Sequence, residues 1–392
     1  MENTQSAVDK KTISSTSAIA ATMTMAVVAS SFLLFLPILV GGLSGFGLTS
    51  GEISVIAAAD LGGISLCSLA AAFWINRVSW RNAALLGLLL IVAGNIACYS
   101  VQDFSSLAAL RFVVGIGEGI LMPINLACLA RTKTPDRNFA IFIVAQTVHA
   151  MIGLALLPYL VTAAGVSATF IVMAWLALLI LPMLHWLPRN LTESEGDGHA
   201  ETIAKLSRLN GKAMLTLGAI FFFFAVQSGI WTYIERIGDA AGISAETIGT
   251  ALAAGAFAGL IGALAATGFA NKFGRAIPLV LTAAFQAVAI VLMLNHPQIA
   301  VFFVASALFQ FFWNFGIPYQ MGVMSRADPA GTYIVLVTAV TGIGFTVGPL
   351  FGAAMIELGG TNGFLLAEAV LCAVSLALIA PVALSAKTPD QT

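Results

Sequence analysis

The chain has 392 residues, of which 59% are hydrophobic and only 9% charged, and its formal net charge is −1. Soluble proteins carry roughly 25% charged residues because a water-facing surface needs them, so much of this surface must face lipid. The near-neutral balance excludes a basic field for nucleic acid, and Cys67, Cys98, Cys128 and Cys372 lie in apolar runs without metal or redox spacing.

A polar stretch, residues 1–16, carries Lys10 and Lys11 and precedes an apolar run too long for a signal-peptide core. That run reads as a retained first membrane span. About 20 apolar residues carry a helix across a bilayer. Runs of that kind recur at 17–41, 51–74, 82–102, 104–129, 139–163 and 166–187. A polar linker over 188–212 follows, then runs at 213–234, 246–270, 276–294, 298–324, 331–356 and 363–386, and a tail at 387–392. The runs are continuous rather than alternating, which excludes an outer-membrane barrel. The pattern predicts an all-α integral membrane protein whose twelve transmembrane helices form two six-helix bundles, 17–187 and 213–386.

Basic residues fix the direction, since cytoplasmic loops collect them. With the N-terminus inside, the inner segments hold Lys10, Lys11, Arg77, Arg81, Arg131, Lys133, Arg137, Arg189, Lys205, Arg208, Lys212, Lys272, Arg275, Arg326 and Lys387. Only Arg236 falls outside, and Arg111 lies within a span. A missed helix would invert every later loop. Both termini and the linker are therefore expected in the cytoplasm, and the protein in a bacterial inner membrane.

The halves echo each other. Asn76-Arg77-Val78-Ser79-Trp80-Arg81 follows the second span and Asn271-Lys272-Phe273-Gly274-Arg275 the eighth, an offset of 271 − 76 = 195 residues, about half the chain. The first of these loops resembles the G-x-x-x-D-R-x-G-R-[RK] motif of the major facilitator superfamily, keeping Arg77 and Arg81 and departing at Ala72, Asn76, Ser79 and Trp80. The second keeps Gly274 and Arg275. Span four, Arg111-Phe112-Val113-Val114-Gly115-Ile116-Gly117-Glu118-Gly119, is similar to that family's R-x-x-x-G-x-G-x-G pattern. Span eleven has Gly344-x-x-x-Gly348-Pro349-x-x-Gly352, similar to the family's antiporter motif, of which span five keeps only Gly153 and Pro158. The resemblance implies two pseudo-symmetric bundles working by alternating access. It places spans one, four, seven and ten around the substrate and connects Arg111 with proton coupling. Arg77, Arg81, Lys272 and Arg275 are expected to hold helix-end carbonyls or neighbouring acids and so bias two bundle arrangements, with Gly348 and Pro349 as conformational elements. Simple orientation by the positive-inside rule is the plainer reading of the four basic residues.

A charge at the bilayer centre costs about 2.5–3.5 kcal/mol or more, so intramembrane ionisable residues are functional candidates. Arg111 and Glu118 are 118 − 111 = 7 residues apart and share a helix face. Glu118, Asp60 and His149, the last placed to pair with Glu118, are candidate proton carriers beside Arg111. Asp60, flanked by alanine and glycine, serves equally well as a structural hydrogen bond between helices, and His149 as a hydrogen-bonded structural residue. Glu368, near the end of a peripheral span, reads as structural.

Gln227 and Trp231 on span seven, and Gln310, Trp313 and Asn314 on span ten, make a surface for a partly aromatic or amphipathic solute. Gly316 and Pro318 are expected to break span ten. Arg111 could receive an anion. The expected function is proton-coupled secondary transport of a small organic solute, such as an amphipathic or aromatic organic anion. Efflux of drug-like compounds by proton antiport is the alternative within transport; a non-transporting receptor or scaffold is the alternative outside it. No phosphate-binding loop, metal-ligand cluster or nucleophile–base constellation occurs, so neither an enzyme nor a cofactor is expected. The expected partners are the solute, protons and the lipid bilayer, around a monomer.

Overall fold

The computed structural model describes residues 15–75, 77–187, 210–269, 272–328, 333 and 336–385. The terminal tails, nearly all of the 188–212 linker, Asn76, Asn271 and the basic residues Lys10, Lys11, Arg189, Lys205, Arg208 and Lys387 lie outside them.

Span one is two helices, Thr16–Ala29 and Ser31–Leu43, interrupted at Ser30 and ending in a 3-10 turn at Ser44–Phe46. Spans two to five are Ser50–Trp74, Trp80–Tyr99, Phe104–Leu129 and Pro135–Ala164. Span six is Ser167–Ile180 with a 3-10 extension, Leu181–Trp186. Spans seven to ten are Gly211–Ala240, Ala245–Phe269, Ala276–Leu292 and Ile299–Ala327. Polar side chains start several of them: Thr49 and Glu52 form a reciprocal capping box. Asp103 accepts the Ser106 N–H at 2.9 Å, which holds its carboxyl below the usual range.

The final helical segment, Leu336–Ser385, has 50 residues. At 1.5 Å per residue it would reach ~75 Å, more than twice a ~30 Å hydrocarbon core. Gly360 divides it, with φ 64° and ψ −168°, a conformation essentially closed to other residues. The chain folds back there. Pro349 and Phe364, on opposite sides of the break, both meet Tyr233: its hydroxyl donates to the Pro349 carbonyl at 3.3 Å, and its ring lies 5.5 Å from that of Phe364. Spans eleven and twelve thus complete the expected count. Gly360→Ala is expected to cost about 1–3 kcal/mol from backbone strain, read as a lower thermal unfolding midpoint in detergent. Gly359→Ala, where an added Cβ meets nothing within 4 Å, is the control.

The glycines of the span-four pattern permit close crossings. A Cβ on Gly117 would stand 2.7 Å from the Gly87 carbonyl of span three, and one on Gly119 2.6 Å from the Ile64 carbonyl of span two. Gly115 lies against the Asp60 backbone in the same way. Gly344, Gly348 and Gly352 perform this service between spans eleven and seven, facing Phe224, Ser228 and Tyr233. Span ten remains one helix through Gly316 and Pro318, contrary to expectation. In hydrocarbon a broken helix would strand several backbone groups, whereas Pro318 alone withdraws one N–H, leaving the Asn314 carbonyl without its helical donor.

Spans two and eleven meet along Gly62–Thr346 and Ser65–Gly342, and spans five and eight where Gly249 abuts Leu154 and Pro158. One end of the bundle carries Arg77, Arg81, Arg131, Lys272, Arg275 and Arg326, and the other Asp103, Asp239, Glu246 and Glu357.

Candidate functional site

Two sites emerge, one charged and one neutral. In the first, the spacing of spans two, three and four brings Asp60, Asn95, Arg111 and Glu118 together, all buried. The Arg111 guanidinium forms an ion pair with Asp60 Oδ2 through Nη2 and donates to Asn95 Oδ1 through Nη1 at 2.9 Å. Glu118 Oε1 stands 3.7 Å from Nη2, an ion pair without a hydrogen bond. Phe32 of span one caps the guanidinium face at 4.0 Å, with Phe170 beyond it at 5.8 Å. Among the described residues, Asp60 Oδ1 and Glu118 Oε2 find no hydrogen-bond donor.

His149 is elsewhere. Its Nε2 is 2.9 Å from the Ser31 hydroxyl and its ring lies 5.0 Å from Phe35, so its hydrogen-bond partner is a serine and not the expected Glu118. Beside it, Gln146 donates to Ser30 Oγ at 2.7 Å. Span five is thereby docked on the interruption in span one. Glu368 is fully buried rather than peripheral: it faces Gly229 of span seven, and neither carboxylate oxygen has a partner among the described residues.

The second site is a cavity of about 380 Å³ between the halves. Its N-terminal wall comes from spans one and five, including Ser30, Leu33, Gln146 and Thr147. Its C-terminal wall comes from spans seven, eight, ten and eleven, including Trp231, Gln310, Trp313, Asn314 and Phe345. Four of the five residues picked out by sequence line it. Gln227 does not; it is fully buried, and its amide has no partner among the described residues. Span four contributes no lining residue, contrary to what the resemblance implied: Phe32 of span one covers the Arg111 guanidinium, and Ser30, Leu33 and Leu34 of that span line the cavity. Sequence reading missed Gln146 and Asn95, although a lone amide within an apolar run was the available signal for each.

Four hydrogen bonds join the halves among the described residues. Trp231 Nε1 donates to the Leu33 carbonyl (2.8 Å), Tyr233 Oη to the Ser50 carbonyl (3.4 Å), Arg236 to Ser50 Oγ (2.8 Å) and Thr162 to Glu246 (3.3 Å). All lie at mid-depth or toward the acidic end, so the halves are fastened there and enclose the cavity on the basic side. Arg236, the one basic residue that broke the loop pattern, is part of this fastening.

At the basic end, Arg81 donates to the His185 and Leu187 carbonyls, at 2.5 and 2.9 Å, holding the end of span six. Arg275 donates to the Gly322 carbonyl of span ten. Arg77 and Lys272 are exposed and make no side-chain hydrogen bond among the described residues. Gly348 sits against Ser228, and the Pro349 carbonyl receives Tyr233.

The sequence profile of the Major Facilitator Superfamily matches residues 14–332 and, in a second alignment, 216–392. No curated protein sequence matches. Among solved structures, the crystal structure of a mutant of the nucleoside transporter NupG is similar, with a TM-score of 0.74 and 9% identity over 94% of this chain and all of that one. At that identity the likeness concerns the fold alone.

Proposed function

Since the chain belongs to the Major Facilitator Superfamily, we propose that it is a proton-coupled secondary transporter that moves a small organic solute by alternating access, with its basic end in the cytoplasm of a bacterial cell. The observation that carries the coupling is the Asp60–Arg111–Glu118 cluster. Two buried carboxylates face one buried guanidinium, so the cluster holds an uncompensated negative charge unless it binds a proton. Span four also contacts spans two and three through its glycines, so a change of charge at the cluster acts on the packing of the N-terminal half.

The solute site is the separate neutral cavity. An anion seated on Arg111 is not part of this proposal, because the guanidinium is engaged by Asp60 and Asn95 and capped by Phe32. The close spans seven and eleven, built on the antiporter-like glycines, support exchange of solute against protons as the mode.

Purified protein in proteoliposomes is expected to accumulate its solute when a pH gradient is imposed and to equilibrate it without one. Solute flux of equal extent under both conditions would refute the coupling, and absence of flux for every solute that binds would refute transport.

A further inference from the structure

On the reading of the chain as a solute carrier, we infer that the central cavity takes an uncharged, flat, amphipathic solute with one aromatic system, stacked on Trp313 and read by the amides of Gln310, Asn314 and Gln146.

Charge decides the class. Among the described residues no lining side chain is charged; Arg111 is capped by Phe32 and held in its own ion pair, and the His149 ring is turned to Ser31. An anion or cation entering the cavity would give up its hydration without a counter-charge, which is unfavourable by orders of magnitude in affinity. Neutral hydrogen bonds are available instead. Asn314 donates through Nδ2 to the Gln310 carbonyl at 3.0 Å, which leaves its Oδ1 free to accept. Gln146 spends one N–H on Ser30 and keeps its remaining N–H and its carbonyl oxygen.

Ring geometry decides the shape. Trp231 commits its N–H to the Leu33 carbonyl and is thus a fixed wall rather than a donor. Trp313 stands 6.2 Å from it at an interplanar angle of 71°. Rings so inclined cannot both lie flat on one solute: one stacks, the other meets its edge. The volume, about 380 Å³, lies at the small end of ligand cavities and fits one such molecule.

Three probes share one indole ring and differ in charge at neutral pH: indole-3-acetamide (neutral), indole-3-acetate (−1) and tryptamine (+1). Binding is read by thermal stabilisation of the purified full chain, and flux by counterflow in proteoliposomes. The amide is expected to bind at least ~100-fold more tightly than either charged probe, the equivalent of about 2.8 kcal/mol. Trp313→Ala should weaken the amide ~10-fold or more, and Asn314→Asp should raise affinity for tryptamine at the expense of the amide. Failure of the amide to bind the wild-type protein, or binding of a charged probe to it within tenfold of the amide, overturns the inference whether or not the variants fold. Flux of indole-3-acetate without the amide would leave transport standing and remove the neutral class. Binding of the amide without flux of any probe would do the reverse.

Discussion

Glu118→Gln is expected to abolish gradient-driven accumulation while leaving solute counterflow intact. A pH difference of one unit is worth ~1.4 kcal/mol per proton, so a one-proton carrier can hold its solute at a ratio of ~10. The variant should hold it near 1. Glutamine keeps the shape and a carbonyl oxygen for Arg111, 3.7 Å away in the wild type, but offers no exchangeable carboxyl proton. The cavity is untouched because Glu118 does not line it. Measured accumulation ratios that remain above unity and still follow the imposed gradient would remove Glu118 from the coupling.

Arg111→Met has the larger structural effect. It leaves Asp60 and Glu118 buried beside each other with no cation, and losing one partner of a buried pair costs about 3–5 kcal/mol. The expected readout is a sharply lower unfolding midpoint and poor recovery from the membrane. Replacing the whole cluster, Asp60→Leu with Arg111→Met and Glu118→Leu, should recover most of that stability, since apolar side chains of similar volume fill the space without desolvating charge. Coupling should stay absent. A triple variant as unstable as the single one would mean that the cluster's geometry, rather than its charge balance, holds spans two, three and four together.

How much of this was legible in the sequence depended on the physics behind each feature. Spans follow from composition, because lipid demands an unbroken apolar run wherever the helix lies. The boundary at Gly360 was legible for the same reason, even though the helical segments on its two sides join without a gap. Trp231, Gln310, Trp313 and Asn314 were legible as polar and aromatic side chains on the expected cavity helices. Which groups pair across helices was not. Arg111 and Glu118 share a face by spacing, but Asp60 and Asn95 join them through rotations of spans two and three set by packing. His149 was assigned by depth, and depth does not say which way a ring points: it turned to Ser31. Gln227 turned inward from a cavity helix for the same reason. Proline was over-read at Pro318, where the surrounding hydrocarbon favours a continuous helix.

The fastening between the halves is light. Each of its four bonds contributes a net ~1 kcal/mol, a little more where Arg236 or Glu246 is a partner, so unclasping that end costs only a few kcal/mol in hydrogen bonds. Apolar residues of both halves, among them Phe35, Leu154, Ile230 and Leu252, share one buried cluster and add to that cost. Under the proposed alternating access, a solute that touches both walls bears directly on this fastening, and so does a proton taken up at Asp60, which lies on the same span as Ser50.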